Sequence, residues 1–238
     1  MKRIIFLASL LILAVLFCSC KNTTVPEVPA ESVEVSDVTV KDEIFSEKTE
    51  FDVGVCAEVY ITAPKVEAPD YGDNVKGYNQ MIDTIIGTVK SEYEHDVAIG
   101  QSAEGAAATS RMLTYEVFTA KDGYISVMIK VDTSIAGAVN PTSVYKCISY
   151  DLKAGKLLSL QDVVGEDKIT QVKANIIEQM KQHPEKFYSV EDNALDDVDL
   201  SYSFLEDEEY ITVVIDQYVI APRSYGAQIF EILKTSIG

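Results

Sequence analysis

Apolar and polar residues alternate in several segments of this chain, which is the pattern of strands with one buried face. The clearest segment is 210–218, in which β-branched residues run from 211 to 214. A turn that contains Pro222 and Gly226 follows it, and the next strand is predicted at 227–233. The C-terminal part is therefore predicted to be two strands that are adjacent in sequence.

Further strands are predicted in the rest of the chain. The segment 51–62 places small and β-branched apolar residues on one face, which predicts a half-buried strand. Two alternating segments, 111–119 and 124–132, flank Asp122-Gly123, a dipeptide that is typical of tight hairpins. Two more strands are predicted at 144–152 and 199–205.

Apolar residues recur at steps of three and four in two other segments, which predicts two amphipathic helices. The first helix is expected at 73–93 and the second at 167–182, where Pro184 stops it. The predicted order is β-α-β-β-β-α-β-β-β, with hairpins and no repeating βαβ units. This order indicates an α+β protein in which one or more antiparallel sheets carry two main helices.

The N-terminus has the pattern of a secretory signal, because Lys2 and Arg3 precede an apolar run at 4–17. A helix of that length spans roughly 21 Å, which is short of a hydrocarbon core of ~30 Å. A cleaved signal peptide at 1–19 is therefore favoured over a permanent membrane span.

The end of this signal resembles a bacterial lipobox, in which small Ser19 precedes Cys20. Cys20 is the predicted site of lipid attachment, and Cys18 is the weaker candidate because bulky Phe17 precedes it. The alternative is an ordinary secretory signal that contains cysteines. With its acyl chains, Cys20 would anchor the protein outside the cytoplasm, on the cell membrane or the outer membrane.

The residues after the signal differ in composition from the rest of the chain. Residues 20–47 are acidic, contain proline and lack aromatic residues before Phe45, which predicts a flexible stalk. The folded module is predicted at 48–238, with a first half at about 48–135 and a second half at about 136–238.

The chain carries 38 acidic and 20 basic residues, for a net charge of −18. Removal of the signal, with Lys2 and Arg3, takes this charge to −20. Such a field repels nucleic acid, which is therefore not an expected partner, and attracts cations and cationic proteins. The alternative is that the charge serves solubility alone.

Two cysteines, Cys56 and Cys147, remain in the folded part, and each lies in a predicted strand. Outside the cytoplasm they could form a disulfide if their strands were neighbours, with Cα atoms within about 7 Å. The alternative is that both are buried free thiols.

No set of residues predicts a reaction, a metal site or a cofactor, so the chain is not expected to be an enzyme. His95 and His183 are the two histidines and are far apart in sequence, and the folded part has no Cys-x-x-Cys. The acidic residues between 191 and 209 could form a calcium site, but a loop from Asp197 would place Tyr202 where an EF-hand needs glycine. A solvated acidic surface is the alternative.

The turn that contains Pro222 and Gly226 is also bracketed by Tyr218 and Tyr225. These four residues are the candidate contacts to a ligand or partner, because exposed tyrosines favour recognition. The alternative is that they only build the turn, with Tyr218 as its anchor on the sheet.

Three stretches of the chain resemble a known family. They are 60–64 with the helix that follows, 150–164, and 218–232, of which the last is the most specific. From about residue 50 to the end, the chain resembles the extracytoplasmic domain pair of RsiV-type lysozyme-sensing anti-sigma factors. The same pair precedes the catalytic domain of PdaC-type peptidoglycan deacetylases and occurs in lone bacterial lipoproteins. Where the family has a histidine in a turn, this chain reads Ala-Gly-Ala-Val-Asn at 136–140.

The resemblance implies a binding or sensing domain with a cell-wall-associated partner, such as a cationic, lysozyme-like protein. It also implies an alternative, a lipoprotein without catalytic activity that binds peptidoglycan or another glycan.

Overall fold

The computed structural model describes residues 37–51, 55–102, 107–139, 141–204 and 210–237. The predicted signal, Cys20 and the first part of the predicted stalk lie outside these residues.

A mixed six-stranded sheet forms the larger part of the fold. Its strands are β1 Thr39–Glu50, β2 Cys56–Glu67, β3 Thr109–Lys121, β4 Tyr124–Ile135, β5 Thr142–Asp151 and β6 Lys156–Leu157, in that spatial order. All neighbours are antiparallel except β2 and β3, which are parallel because helix α1, Asp73–Ser102, connects them as a crossover. The β3–β4 hairpin turns at Asp122-Gly123, both with positive φ, as the sequence predicted.

Helix α1 packs on one face of this sheet. Its apolar side chains at steps of three and four are buried, namely Tyr78, Ile82, Ile86, Val89 and Tyr93. They meet the alternating residues of the central strands, which are also buried, including Ala57, Val59, Ile61, Leu113, Val127 and Ile129. Complete burial of a large apolar side chain contributes about 1.5–3 kcal/mol, so this interface is the main core of the protein.

The second sheet has three antiparallel strands, β7 Ser201–Phe204, β8 Tyr210–Ile215 and β9 Gln228–Leu233. Helices α2, Leu160–Val164, and α3, Ile169–Met180, precede it. The buried face of α3 packs with the buried residues of β8 and β9 in a second apolar cluster, which includes Val172, Ile176, Met180, Ile211, Val213 and Phe230. A capping box between Ser159 and Asp162 starts the short helix α2.

Hydroxyl groups join the two sheets on the face of the larger sheet opposite α1. The backbone N–H of Phe204 donates to Ser126 Oγ at 3.1 Å, and Thr119 Oγ1 donates to the Phe204 carbonyl at 2.5 Å. A bulge between Val117 and Thr119 shifts the register of β3 and so directs Thr119 toward β7. Side chains of one sheet therefore satisfy the free backbone edge of the other.

The α+β class, the antiparallel pairing and the two main helices, α1 and α3, confirm the prediction from sequence. The end of the predicted stalk is a correction, because residues 39–47 of the stalk predicted at 20–47 belong to strand β1. The segment is charged because β1 is an edge strand, and tyrosine hydroxyls hold it in place. Asp37 accepts a hydrogen bond from Tyr71, and Asp42 accepts one from Tyr115 at 2.6 Å.

The division into halves at 135/136 is a second correction. That boundary falls between β4 and β5, which pair along the whole of β5 in the same sheet, for example Val131 with Val144. The two sheets divide instead after β6. Helix α1 also continues to Ser102, beyond the predicted end at residue 93.

Candidate binding cleft

A cleft of about 470 Å³ lies along the outer edge of β5. Its walls come from β5 itself, the segment 197–202, β8 and the turn that follows β8. The cleft exists because β6 pairs only with Tyr150 and Asp151, so the outer edge of the earlier part of β5, opposite β4, has no neighbouring strand among the described residues.

Side chains satisfy two of the backbone donors on this edge. The N–H of Tyr145 donates to Asp216 Oδ1 at 2.9 Å, and the N–H of Cys147 donates to Ser201 Oγ at 3.1 Å. Asp216 directly follows β8, and Ser201 begins β7, so the second sheet supplies both acceptors. The edge of β5 is therefore occupied by two side-chain oxygens and not by a strand.

The lining of the cleft combines acidic and apolar groups. Asp197, Asp199 and Asp216 contribute carboxylates, and Lys146 also borders the cleft. Its apolar residues are Leu157, Leu158, Val198, Leu200, Val214 and Val219. This composition suits a ligand that carries both positive charge and apolar groups.

Cys147 also lines the cleft, but its thiol is unsuited to nucleophilic chemistry. Burial raises the pKa of the Cys147 thiol, so the group is protonated at neutral pH. Tyr202, on the wall formed by 197–202, donates its hydroxyl to the Leu158 carbonyl at 2.6 Å. Burial raises the pKa of Tyr202 well above its ordinary value, and this tyrosine too remains protonated. Cys147 and Tyr202 are therefore neutral groups of the lining at pH 7.

The turn that the sequence singled out lies at one end of this cleft. Val219 is a lining residue, and Tyr218 before it is 56% exposed and has a φ of 67°. Gly226 has a φ of 68°, which favours glycine. An added Cβ would meet no atom within 4 Å, so steric crowding is not the reason for a glycine here. Pro222 precedes a short 3-10 turn at Arg223–Tyr225.

Turn geometry alone thus explains Pro222 and Gly226, whereas Tyr218 and Tyr225 keep exposed rings. Tyr225 is 45% exposed, and Tyr188, whose N–H donates to the Ile220 carbonyl at 2.9 Å, is 60% exposed. Three exposed tyrosines therefore lie on or beside this turn. Sequence reasoning missed Tyr188, because only the fold brings residue 188 next to residue 220.

The proposed disulfide between Cys56 and Cys147 is wrong. Both are free thiols, and they lie on β2 and β5, which β3 and β4 separate. Strands are about 4.8 Å apart in a sheet, so three intervals exceed the Cα separation that a disulfide allows.

A second cavity, of about 330 Å³, lies between α1 and the larger sheet. Arg111 lines it and makes two hydrogen bonds to Asp96, at 2.7 and 3.2 Å, and another to Glu92. These contacts hold the C-terminal half of α1 on β3, which explains the cluster as a structural ion pair.

Among the described residues, no group of three or more His, Cys, Asp or Glu side chains could hold a metal ion. Within the same residues, no helix has the length and apolar character needed to cross a membrane.

No protein-family model matches the chain, and no curated protein does. Solved structures with a similar fold include a DUF3298 family member from Bacteroides fragilis NCTC 9343, at a TM-score of 0.54 and 12% identity over 84% of this chain and 92% of that chain. Another is a DUF3298 family protein from Pseudomonas aeruginosa PAO1, at a TM-score of 0.53 and 17% identity over 84% of this chain and 93% of that chain. At such identities the likeness concerns the fold. This chain therefore has a fold similar to that of DUF3298 family proteins.

Proposed function

We propose that this protein is an extracytoplasmic binding domain, anchored to a membrane through a lipid on Cys20, that recognises a cationic protein in the cell-wall space and performs no chemical step. The observation that carries the proposal is the cleft beside β5, where Asp197, Asp199 and Asp216 border apolar surface. The net charge of the whole protein, −18 for the full chain and −20 without the signal, favours a positively charged partner in the same way.

Electrostatics support a protein partner of positive charge. A field of one sign raises the association rate of an oppositely charged partner, and salt screens it with a Debye length of about 10 Å at 0.1 M. The choice of a lysozyme-like partner comes from the resemblance to lysozyme-sensing domains. The lipid on Cys20 would keep the domain where such a protein meets the cell.

The test measures binding of egg-white lysozyme to the purified full chain in detergent micelles, over a range of NaCl concentrations. We expect binding at low salt and an association rate that falls steeply as salt rises. Asp197→Asn/Asp199→Asn should weaken binding about tenfold, or about 1.4 kcal/mol. A matched variant, Glu94→Gln/Asp70→Asn, removes the same charge from exposed positions outside the cleft and should bind nearly as the wild type does.

Absence of binding at low salt would exclude a lysozyme-like partner. Equal loss in both double variants would show that the overall field, and not the cleft, provides recognition. Anchoring has its own test, because labelled palmitate should enter the wild-type protein in its bacterial host and not Cys20→Ala.

A second candidate function is glycan binding, and the exposed tyrosines favour it. Tyr188, Tyr218 and Tyr225 present aromatic rings on or beside one turn, and such rings offer flat apolar faces with a polar end. If the partner is peptidoglycan, the full chain should sediment with purified cell wall, and Tyr218→Ala/Tyr225→Ala should not. Sedimentation that the cleft variant Asp197→Asn/Asp199→Asn abolishes instead would argue against the tyrosine site.

A further inference from the structure

We infer that the cleft binds its protein partner by strand addition, in which an extended basic segment of the partner pairs with the outer edge of β5. This inference rests on the proposed function and specifies which element of the partner is recognised. An exposed strand edge is a common receptor for extended peptides, because its unpaired backbone groups form ladder hydrogen bonds with any added strand.

The backbone of β5 has the required direction. In an antiparallel strand, alternate residues point their N–H and C=O groups to the same side. The N–H of Leu158 donates to the Ser149 carbonyl at 2.8 Å. The odd-numbered residues of β5 therefore direct their backbone N–H and C=O groups away from β4, to the outer edge. Tyr145 and Cys147 have the same parity, and their N–H groups reach Asp216 and Ser201 on that side.

The two side-chain acceptors occupy positions where the backbone carbonyls of an added strand could lie. Asp216 Oδ1 and Ser201 Oγ each use one oxygen at the end of a short side chain to satisfy one N–H. A strand that added here would accept from the same N–H groups through its carbonyls. The Asp216 carboxylate would then be released to pair with a basic side chain of the added segment.

Inward-pointing charged side chains, and a loop or helix that covers the edge, also protect strand edges from aggregation. Addition of a strand needs, besides, open space next to the edge. Here the edge borders about 470 Å³ of open space, and the segment 197–202 forms the opposite wall. The open part of β5, from 143 to 148, matches an added segment of about six residues at ~3.3 Å per residue.

The lining sets the sequence of that segment. In an added strand, successive side chains point to opposite faces. Val198, Leu200 and Val214 offer an apolar wall, whereas Asp197, Asp199 and Asp216 offer negative charge. The expected segment therefore alternates apolar residues with lysine or arginine.

The experiment uses the full chain in detergent micelles and an eight-residue peptide of alternating valine and lysine, acetylated and amidated at its ends. A peptide of alternating valine and glutamate is the charge control. Two N-methylated versions carry the methyl groups either on the valine amides or on the lysine amides. Binding is measured by calorimetry, and the amides of Tyr145 and Cys147 are followed by NMR.

We expect the valine–lysine peptide to bind and the valine–glutamate peptide not to bind. One N-methylated version should bind at least tenfold more weakly, because its methyl groups face β5, and the other should bind within about threefold of the parent. The Tyr145 and Cys147 amide signals should shift on binding. Asp197→Asn/Asp199→Asn should weaken binding about tenfold, and Glu94→Gln/Asp70→Asn should leave it nearly unchanged.

The inference fails if the peptide does not bind, if both N-methylated versions bind alike, or if the two amide signals do not move. Lysozyme binding that depends on Asp197 and Asp199, together with any of these results, would leave the proposed function in place without strand addition. Peptide binding with the alternating N-methyl pattern, but no lysozyme binding, would retain strand addition and exclude the lysozyme-like partner.

Discussion

At the scale of single residues, hydroxyl groups distinguish this fold from a purely apolar core. The hydroxyls of Thr119 and Ser126 form the hydrogen bonds to Phe204 that join the two sheets where no strand pairing does. On the other face of the larger sheet, the Tyr93 hydroxyl is hydrogen-bonded to Thr49 Oγ1 at 2.7 Å. Tyr78 is an exception, because it is fully buried and its hydroxyl has no hydrogen-bond partner among the described residues. Burial raises the pKa of Tyr78 well above its ordinary value, so the hydroxyl stays protonated.

Tyr78→Phe should therefore leave the free energy of unfolding unchanged or raise it by about 1 kcal/mol, since an unsatisfied buried polar group costs about 1–3 kcal/mol. Tyr93→Phe is the matched variant on the same helix, and it should lower that free energy by about 1 kcal/mol because it breaks the bond with Thr49. Urea unfolding of both proteins measures the difference. A greater loss in Tyr78→Phe than in Tyr93→Phe would contradict this assignment.

At the scale of secondary-structure elements, β1 shows why an edge strand escapes sequence analysis. Among the described residues β1 pairs with β2 alone, and its charged residues resemble a solvated linker; even Ile44 is 73% exposed. The contacts that hold β1 are long-range, as in the bond from Tyr115 to Asp42. The hydrogen bond from Tyr71 to Asp37 is the main cause that raises the pKa of Tyr71 to about 12. Burial, together with the hydrogen bond to Asp42, raises the pKa of Tyr115 to about 12.

The attachment of β1 should accordingly weaken at alkaline pH. An unfolded tyrosine has a pKa of about 10, so the raised folded values stabilise the protein fully below pH ~10. That contribution is lost as the pH rises through about 12, because both hydroxyls then ionise beside carboxylates. Amide exchange in β1, measured by mass spectrometry between pH 9 and 12, should accelerate beyond its intrinsic pH dependence.

In Tyr71→Phe/Tyr115→Phe, β1 should already exchange faster at pH 9, and the additional acceleration should be smaller. Tyr225→Phe removes an exposed tyrosine from the turn between β8 and β9 and should behave as the wild type. The same additional acceleration in all three proteins would show that other groups control the attachment of β1.

The sequence predicted the elements whose patterns are local, and it missed what depends on distant partners. The apolar period of α1 and the Asp122-Gly123 hairpin turn depend on residues that are close in sequence, and the structure confirms both the helix and the turn. The cleft was not predictable, because its two backbone caps join residues that are 71 and 54 positions apart. Tyr218 was identified from its motif, but its position beside a strand edge required the fold.

At the scale of the whole molecule, hydrogen bonds from side chains join the two sheets at two places. The larger sheet ends with β5 and β6, and the second sheet caps the edge of β5 through Ser201 and Asp216. Ser126 is completely buried at the same junction and bonds with both Ser149 Oγ and the Phe204 N–H. Two sheets joined in this way should unfold as a single cooperative unit, since opening either one exposes unpaired backbone groups of the other.

Ser126→Ala tests this coupling, because it leaves the Phe204 N–H without its acceptor at a site from which water is excluded. The free energy of unfolding should fall by about 1–3 kcal/mol. Ser134→Ala, on an exposed position of the same strand, should change it by less than about 0.5 kcal/mol. Hydrogen exchange of the slowest amides gives the decisive measurement: in Ser126→Ala, β2 and β8 should lose protection by the same factor, because both open only when the whole protein unfolds. Faster exchange confined to β7, β8 and β9 would instead show that the second sheet opens independently, and that the hydroxyl junction holds it in place without coupling the two cores.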